Sequence, residues 1–131
     1  MPEPKKPDKD STLSKITENT TIIPGDGPQR HELHIIGLAV AIIEGQNKGT
    51  EFPITFNRMT IGRKNTDIIL DDPLISRKHA EIEVLGRGYY FVKDLASSNG
   101  TLVNGVLITN QRVHPFDKIQ VGGTVMTIIE K

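Results

Sequence analysis

The stretch "HAEIEVLGRGYYFVKDL", residues 79–95, decides the fold class. Its first half alternates apolar and polar side chains, with Ala80, Ile82 and Val84 on one face and His79, Glu81 and Glu83 on the other. A period of two is typical of a β-strand that has one face in a core and one face in water. Residues 79–85 and 89–95 are therefore predicted to form an up-and-down strand pair.

The same kind of short strand recurs along the rest of the chain. Segments rich in Ile, Val, Thr and aromatic residues are divided by Gly, Asn, Asp and Pro at intervals of about ten residues, which is typical of an all-β sandwich or barrel. Asn104-Gly105 between apolar flanks predicts a tight hairpin. The strands are predicted over 38–44, 50–56, 58–62, 67–70, 79–85, 89–95, 101–103, 106–108, 117–121 and 124–130.

The first part of the chain has a different composition. It is rich in Pro, Lys, Asp, Ser and Thr, and "PGDGP" at 24–28 favours neither helix nor strand. We expect residues 1–34 to form a flexible N-terminal tail and residues 35–131 to form one domain. The tail includes "TENTTIIPG", in which Thr20 and Thr21 are candidate phosphorylation sites.

Composition excludes several classes of protein. The net charge is zero with acids and bases mixed, so we expect binding neither to nucleic acid nor to a membrane surface. The chain has no cysteine, its start lacks the apolar region of a secretory signal, and its longest apolar run, at 35–43, is too short to span about 30 Å of hydrocarbon. We therefore expect a cytoplasmic protein. "HELH" at 31–34 lacks the HExxH spacing, so no metal and no cofactor is predicted.

Polar residues that strand alternation does not explain collect in three loops: "GRKNT" at 62–66, "DPLISRK" at 72–78 and "ASSNG" at 96–100. Together they supply an arginine fork, hydroxyl groups, an amide and glycines, which suit a dianion if the loops converge. Counting strands that run alternately up and down the sandwich, which we call strand parity, does not settle whether the three loops converge. It sends the first loop to the opposite end of the sandwich unless the brief "DIIL" strand between the first two loops is a crossing segment.

Ser76 and His79 raise the alternative of a serine hydrolase, with Asp94 as a candidate third member. That chemistry needs an exposed, strained nucleophile and an oxyanion hole. The chain has no Gly-x-Ser-x-Gly elbow, so we expect no catalytic residue and no enzyme.

"IGRKNTDIILDDPLISRKHAEIEV" followed by "VKDLASSNGTLVNG" resembles the forkhead-associated (FHA) domain, with Gly-Arg, Ser-x-x-His and Ser/Thr-x-Asn-Gly blocks in family-like order. The resemblance covers about residues 38–131. It implies an eleven-stranded β-sandwich whose apical loops all lie on one face and bind phosphothreonine peptides.

The resemblance also assigns roles to individual residues. Those implied to bind phosphothreonine or its peptide are Arg63, Ser76, Arg77, Ser98 and Asn99. Those implied to shape the site are Gly62, His79 and Gly100. Two departures stand out: Ser98 replaces a threonine that is commoner in the family, and Ala96 precedes the serines.

These residues favour a phosphothreonine-dependent adaptor or regulatory module in Ser/Thr kinase signalling. Its expected partners are phosphothreonine-containing proteins and a Ser/Thr protein kinase. Its own tail, phosphorylated at Thr20 or Thr21, is a further expected ligand that would keep the pocket closed. The alternative of another class is a phospho-independent protein-interaction scaffold.

Overall fold

A computed structural model describes residues 30–131; the predicted tail up to residue 29, with Thr20 and Thr21, lies outside the described residues. The described chain is a sandwich of two sheets without an α-helix. Its eleven strands are β1 Leu38–Glu44, β2 Glu51–Pro53, β3 Arg58–Gly62, β4 Ile68–Ile69, β5 Ala80–Gly86, β6 Tyr89–Asp94, β7 Thr101–Val103, β8 Val106–Ile108, β9 Asn110–Val113, β10 Ile119–Val121 and β11 Thr124–Glu130. The predicted eleven-stranded sandwich is thus confirmed.

The two sheets have six and five strands. Their orders are β2-β1-β11-β10-β7-β8 and β4-β3-β5-β6-β9. Each pairing is antiparallel except that of β3 with β4. No helix among these residues is long and apolar enough to cross a membrane.

The core lies between the facing sheets and follows the alternation of the strands. In β5, Ala80, Ile82 and Val84 are buried while Glu81 and Glu83 are half-buried. They pack with the inward residues of the other strands, among them Val40, Ile61, Tyr90, Ile119 and Ile128. Burial of such side chains is the main favourable contribution to folding.

Short β4 explains how the loops are arranged. It pairs with β3 in parallel, with Ile68 opposite Ile61, and is only two residues long. It therefore begins and ends beside the end of β3 and does not cross the sandwich. The loops 63–67, 70–79 and 95–100 consequently lie at one end, which we call the apical end. Strand parity left this open, but the crossing strand that it named as the exception is wrong, because β4 has only two residues.

Residues 30–34 contact the sandwich ahead of β1. Leu33 N donates to Thr55 O, and Asn57 exchanges hydrogen bonds with the main chain of His31. The Arg30 guanidinium stacks on the Phe56 ring at 3.9 Å and pairs with Asp67 at 2.8 Å. Arg30, the first described residue, therefore lies beside β3 and β4.

Candidate functional site

The first part of the site is a close approach between the end of β3 and the loop before β5. Arg63 N donates to both Ser76 O and Arg77 O, each at 3.1 Å. A Cβ on Gly62 would lie 2.0 Å from Arg77 O. Only glycine therefore lets the two segments approach this closely, which fixes Arg63 beside Ser76.

The Arg63 side chain is held by one hydrogen bond to the main chain. Its Nε donates to Ile75 O at 3.1 Å, and the side chain is half-buried. A guanidinium carries five N–H donors in a fixed planar fork. Anchoring through Nε fixes the orientation of the two terminal nitrogens, which suits a bidentate contact with an anion.

Ser76 joins this loop to the loop after β6. Its Oγ accepts a hydrogen bond from Ser98 N at 2.9 Å. An accepting hydroxyl keeps its own proton to donate, and Ser98 is exposed next to it. Arg77 and Lys78 are also exposed, so they add positive charge around this point.

His79 is fully buried, although its position in the alternation places it on the polar face of the strand. Its Nδ1 accepts from Ser76 N at 3.0 Å, so the ring proton lies on Nε2, which donates to Gly100 O at 2.8 Å. Both ring nitrogens are thus used to tie the loops together. This geometry does not provide a base for the Ser76 hydroxyl, and it opposes the hydrolase alternative.

Asp94 organises the loop that follows β6. It accepts hydrogen bonds from Ser97 N and Ser97 Oγ, the latter at 2.5 Å, and from Thr101 Oγ1 at 2.8 Å. Burial raises the pKa of Asp94, but the hydrogen bonds from Ser97 and Thr101 outweigh it and leave the pKa below its usual value. Ser97 Oγ also accepts from Gly100 N, so its hydroxyl shapes the loop.

Asn99 connects this loop to the segment before Ser76. Its Nδ2 donates to Leu74 O at 2.8 Å, and its side chain is exposed. The segment is in turn fixed by Asp72, which accepts hydrogen bonds from Leu74 N, Gly123 N and Thr124 Oγ1. Burial raises the pKa of Asp72, but these hydrogen bonds outweigh it, so that pKa is also lowered.

All eight site residues predicted within the domain therefore lie at the apical end, linked by one network of hydrogen bonds or by the segments that carry it. Two supporting residues were missed. Asp72 received no role, and Asp94 was considered only as a member of a catalytic triad. A lone aspartate in a loop gives no sequence signal that its carboxylate will be surrounded by donors.

Beside Asn99 and Gly100 lies a groove of about 520 Å³. Its other walls come from the end of β6 and the loop after it, and from β8 and the residue after that strand: Asp94, Ser97, Ser98, Leu107, Ile108 and Thr109. A Cβ on Gly100 would lie 2.5 Å from Leu107 Cδ1, so the leucine packs directly on the loop.

The family model described as the FHA domain matches residues 59–122, from β3 to the turn before β11. The folded part of this chain is an FHA domain. The Oxoglutarate dehydrogenase inhibitor of Corynebacterium efficiens is 38% identical over 88 residues, which cover 66% of this chain and 61% of that protein. The Glycogen accumulation regulator GarA of Mycolicibacterium smegmatis is 35% identical over 88 residues, 66% of this chain and 55% of that protein. The match thus spans less than two thirds of these relatives.

Solved FHA domains have the same architecture. The FHA domain of the CT664 protein from Chlamydia trachomatis superposes with a TM-score of 0.68 at 26% identity, covering 72% of this chain and 97% of that one. Mycobacterium tuberculosis EmbR, solved in complex with a low-affinity phosphopeptide, gives a TM-score of 0.64 at 29% identity, covering 72% of this chain and 24% of that one.

Proposed function

We propose that this FHA domain binds phosphothreonine in an extended segment of a substrate of a Ser/Thr kinase, and that the protein is a regulatory adaptor without catalytic activity. The observation that carries this is the Arg63–Ser76–Ser98 arrangement at the apical end. The guanidinium is anchored through Nε, and the Ser76 hydroxyl accepts from Ser98 N, so both can donate to one anion.

A phosphorylated threonine supplies the matching chemistry. It carries a charge of about −1.5 to −2 and three acceptor oxygens. Each hydrogen bond to a charged group contributes on the order of 1.5 to 3 kcal/mol net. A few such bonds from Arg63 and Ser76, with peptide contacts at Asn99, would reach about −8 kcal/mol, a micromolar complex.

The relatives support a regulatory role. One is named an inhibitor of oxoglutarate dehydrogenase and another a regulator of glycogen accumulation. EmbR, of which this domain superposes on 24% of the chain, was solved in complex with a phosphopeptide. We infer a role of the same class here.

We further propose that the chain's own tail, once phosphorylated at Thr20 or Thr21, occupies the pocket and excludes external partners. Arg30 is fixed against Asp67, four positions after Arg63. Thr21 precedes Arg30 by nine positions. The distance between these two residues is therefore about 17 Å in a random coil and at most roughly 32 Å in an extended chain. This segment is long enough to bring Thr21 to the apical end and short enough to keep its local concentration high, which favours intramolecular binding.

Calorimetric titration of the unphosphorylated full chain tests phosphothreonine binding. The ligands are peptides of residues 13–28 in four forms: unmodified, phosphorylated at Thr20, phosphorylated at Thr21, and phosphorylated on a serine placed at position 20. We expect binding of at least one phosphothreonine form, abolished by Arg63→Ala and retained by Arg87→Ala, which removes an arginine that bonds Ile36 O far from the apical end. Equal binding of the unmodified peptide would instead favour the phospho-independent scaffold.

The switch needs a second experiment. The full chain is phosphorylated by a Ser/Thr kinase and compared with its Thr20→Ala, Thr21→Ala variant, treated identically, for affinity toward the bound phosphopeptide. We expect the phosphorylated wild-type chain to lose that affinity and the variant to keep it. An unchanged affinity in a chain shown by mass spectrometry to carry the phosphate would overturn the switch.

A further inference from the structure

We propose that the groove beside Leu107 is a second binding site, for an aliphatic side chain on the N-terminal side of the phosphothreonine, and that Ile16 fills it when the ligand is the chain's own tail. This inference rests on the proposed phosphothreonine site and extends it from one anchor to two.

The order of the parts across the apical end supports the placement. The five-stranded sheet runs β4-β3-β5-β6-β9. Arg30 lies at the β4 edge beside Asp67, whereas Arg63 follows β3 and Ser76 precedes β5. Asn99 follows β6, and Leu107 lies beyond it on β8, at the far edge of the other sheet. The proposed phosphate site is therefore between Arg30 and the groove.

This order gives a bound tail its direction. The segment that follows Thr21 must return to Arg30 at the β4 edge. The residues that precede Thr20 then continue toward β8. If the tail ran in the opposite direction, the residues after Thr21 would first extend about 10 Å to the groove. They would then return about 20 Å to Arg30, because neighbouring strands are about 4.8 Å apart. That path requires nine residues at almost full extension, roughly 32 Å at most, and these nine include the turn-forming "PGDGP".

The distance identifies the residue. Ser76 precedes β5 of one sheet and Leu107 lies on β8 of the other, and packed sheets are about 10 Å apart, so the far wall of the groove lies on the order of 10 Å from Ser76. An extended peptide covers roughly 13 Å in four residues. Ile16 stands four positions before Thr20 and five before Thr21, and the positions between are Thr17, Glu18 and Asn19. It is thus the first aliphatic residue that such a segment brings to the groove.

The chemistry of the groove agrees with an aliphatic occupant. Its charged wall residue, Asp94, accepts hydrogen bonds from Ser97 and Thr101. The Leu107 side chain is 68% exposed although it lies against Gly100, so it offers apolar surface next to the loop that we assign to peptide binding. Covering that surface with an isoleucine side chain removes both from water.

A double-mutant cycle tests the contact. Peptides of residues 11–28, phosphorylated at Thr20 or at Thr21 and carrying either Ile16 or Ile16→Ala, are titrated into the unphosphorylated full chain and its Leu107→Ala variant. On the wild-type chain we expect Ile16→Ala to weaken binding roughly three- to tenfold. On Leu107→Ala the same change should have almost no effect, because its contact has already been removed.

Val106→Ala is the matched control. Val106 precedes Leu107 on the same strand and is similarly exposed, at 64%, but is not part of the groove. This variant should keep the full dependence on Ile16. If Ile16→Ala weakens binding equally on wild type and Leu107→Ala, or not at all, the second site is wrong while phosphothreonine binding stands. If neither phosphopeptide binds, the tail is not a ligand of the pocket, and both the switch and the second site are wrong. If binding is unchanged by Arg63→Ala, the proposed phosphothreonine site is wrong as well.

Discussion

Gly62 is the position where a single added carbon would disturb the site most. Its Cβ would lie 2.0 Å from Arg77 O and 2.9 Å from Thr66 Cγ2. Because the first contact is with main chain, the β3 end and the loop before β5 must separate. We expect Gly62→Ala to lower the free energy of unfolding by about 1–3 kcal/mol, measured by urea denaturation. It should also weaken phosphothreonine-peptide binding.

Gly86→Ala is the control for that substitution. Gly86 lies at the end of β5, its φ is not positive, and its nearest neighbour would be 4.0 Å from the new Cβ. We expect the Gly86→Ala variant to keep nearly the stability of the wild-type chain and the same affinity for the phosphothreonine peptide. Equal losses in the two variants would show that Gly62 has no special role in packing the apical loops.

Phe116 occupies a backbone conformation that a different residue would adopt more easily. Its φ is +74° and its side chain is 78% exposed. A bulky residue in the left-handed region is strained, whereas asparagine adopts it more readily. We expect Phe116→Asn to raise the free energy of unfolding by about 0.5–1 kcal/mol, seen as a higher midpoint of thermal unfolding. Leu85→Asn, an exposed position within β5, should give no gain.

Strands were predictable where a segment rich in β-branched and apolar residues is bounded by turn-forming residues. β1, β3, β7, β8 and β11 have the predicted bounds, and the positive φ values of Asn104 and Gly105 confirm the hairpin between β7 and β8. β9 was missed. It reads Asn-Gln-Arg-Val, and its first three residues are exposed, so only Val113 shows that it faces a core. An edge strand of this kind carries too little periodicity to be recognised.

The loops show why the site could be predicted in composition and not in geometry. Residue types indicated an anion site, and the family resemblance implied that the loops converge. The physical cause of convergence is the two-residue β4 beside β3, which does not cross the sandwich. Asp72 and Asp94 were missed because their importance depends on donors brought close only by folding, such as Gly123 N for Asp72.

Asp94 controls the whole loop from the end of β6 to β7. Replacing it by asparagine keeps its size but removes the charge that Ser97 and Thr101 bond. We expect Asp94→Asn to lower the free energy of unfolding by about 1.5–3 kcal/mol. It should also weaken phosphopeptide binding, because Ser98 and Asn99 belong to this loop. Asp71→Asn, at an exposed aspartate, should leave both measurements unchanged.

Across the whole molecule, carboxylates fasten both sheets and their loops. Asp67 accepts hydrogen bonds from Thr60 and Arg30 beside β3. Asp72 joins the apical loop to β11, and Asp94 holds the loop after β6. Asp117 accepts hydrogen bonds from His114 N and Asn104. In the first three, burial raises the pKa but hydrogen bonds outweigh it; in Asp117 the hydrogen bond from His114 N is the largest effect. The pKa of each of the four therefore lies below its usual value.

This arrangement predicts a loss of stability in acid. A folded-state pKa below the unfolded value, about 3.9 for aspartate, stabilises the fold above that value and ceases to do so as the pH falls through the folded pKa. We expect the urea midpoint of the full chain to fall as the pH drops from 5 toward 2. At pH 6 the Asp72→Asn, Asp94→Asn double variant should be less stable than the wild-type chain. This difference in stability should shrink as the pH drops from 5 toward 2, because protonation removes from the wild-type chain the charges that the variant already lacks. A gap that stays constant down to pH 2 would show that these two carboxylates do not stabilise the fold through their charge.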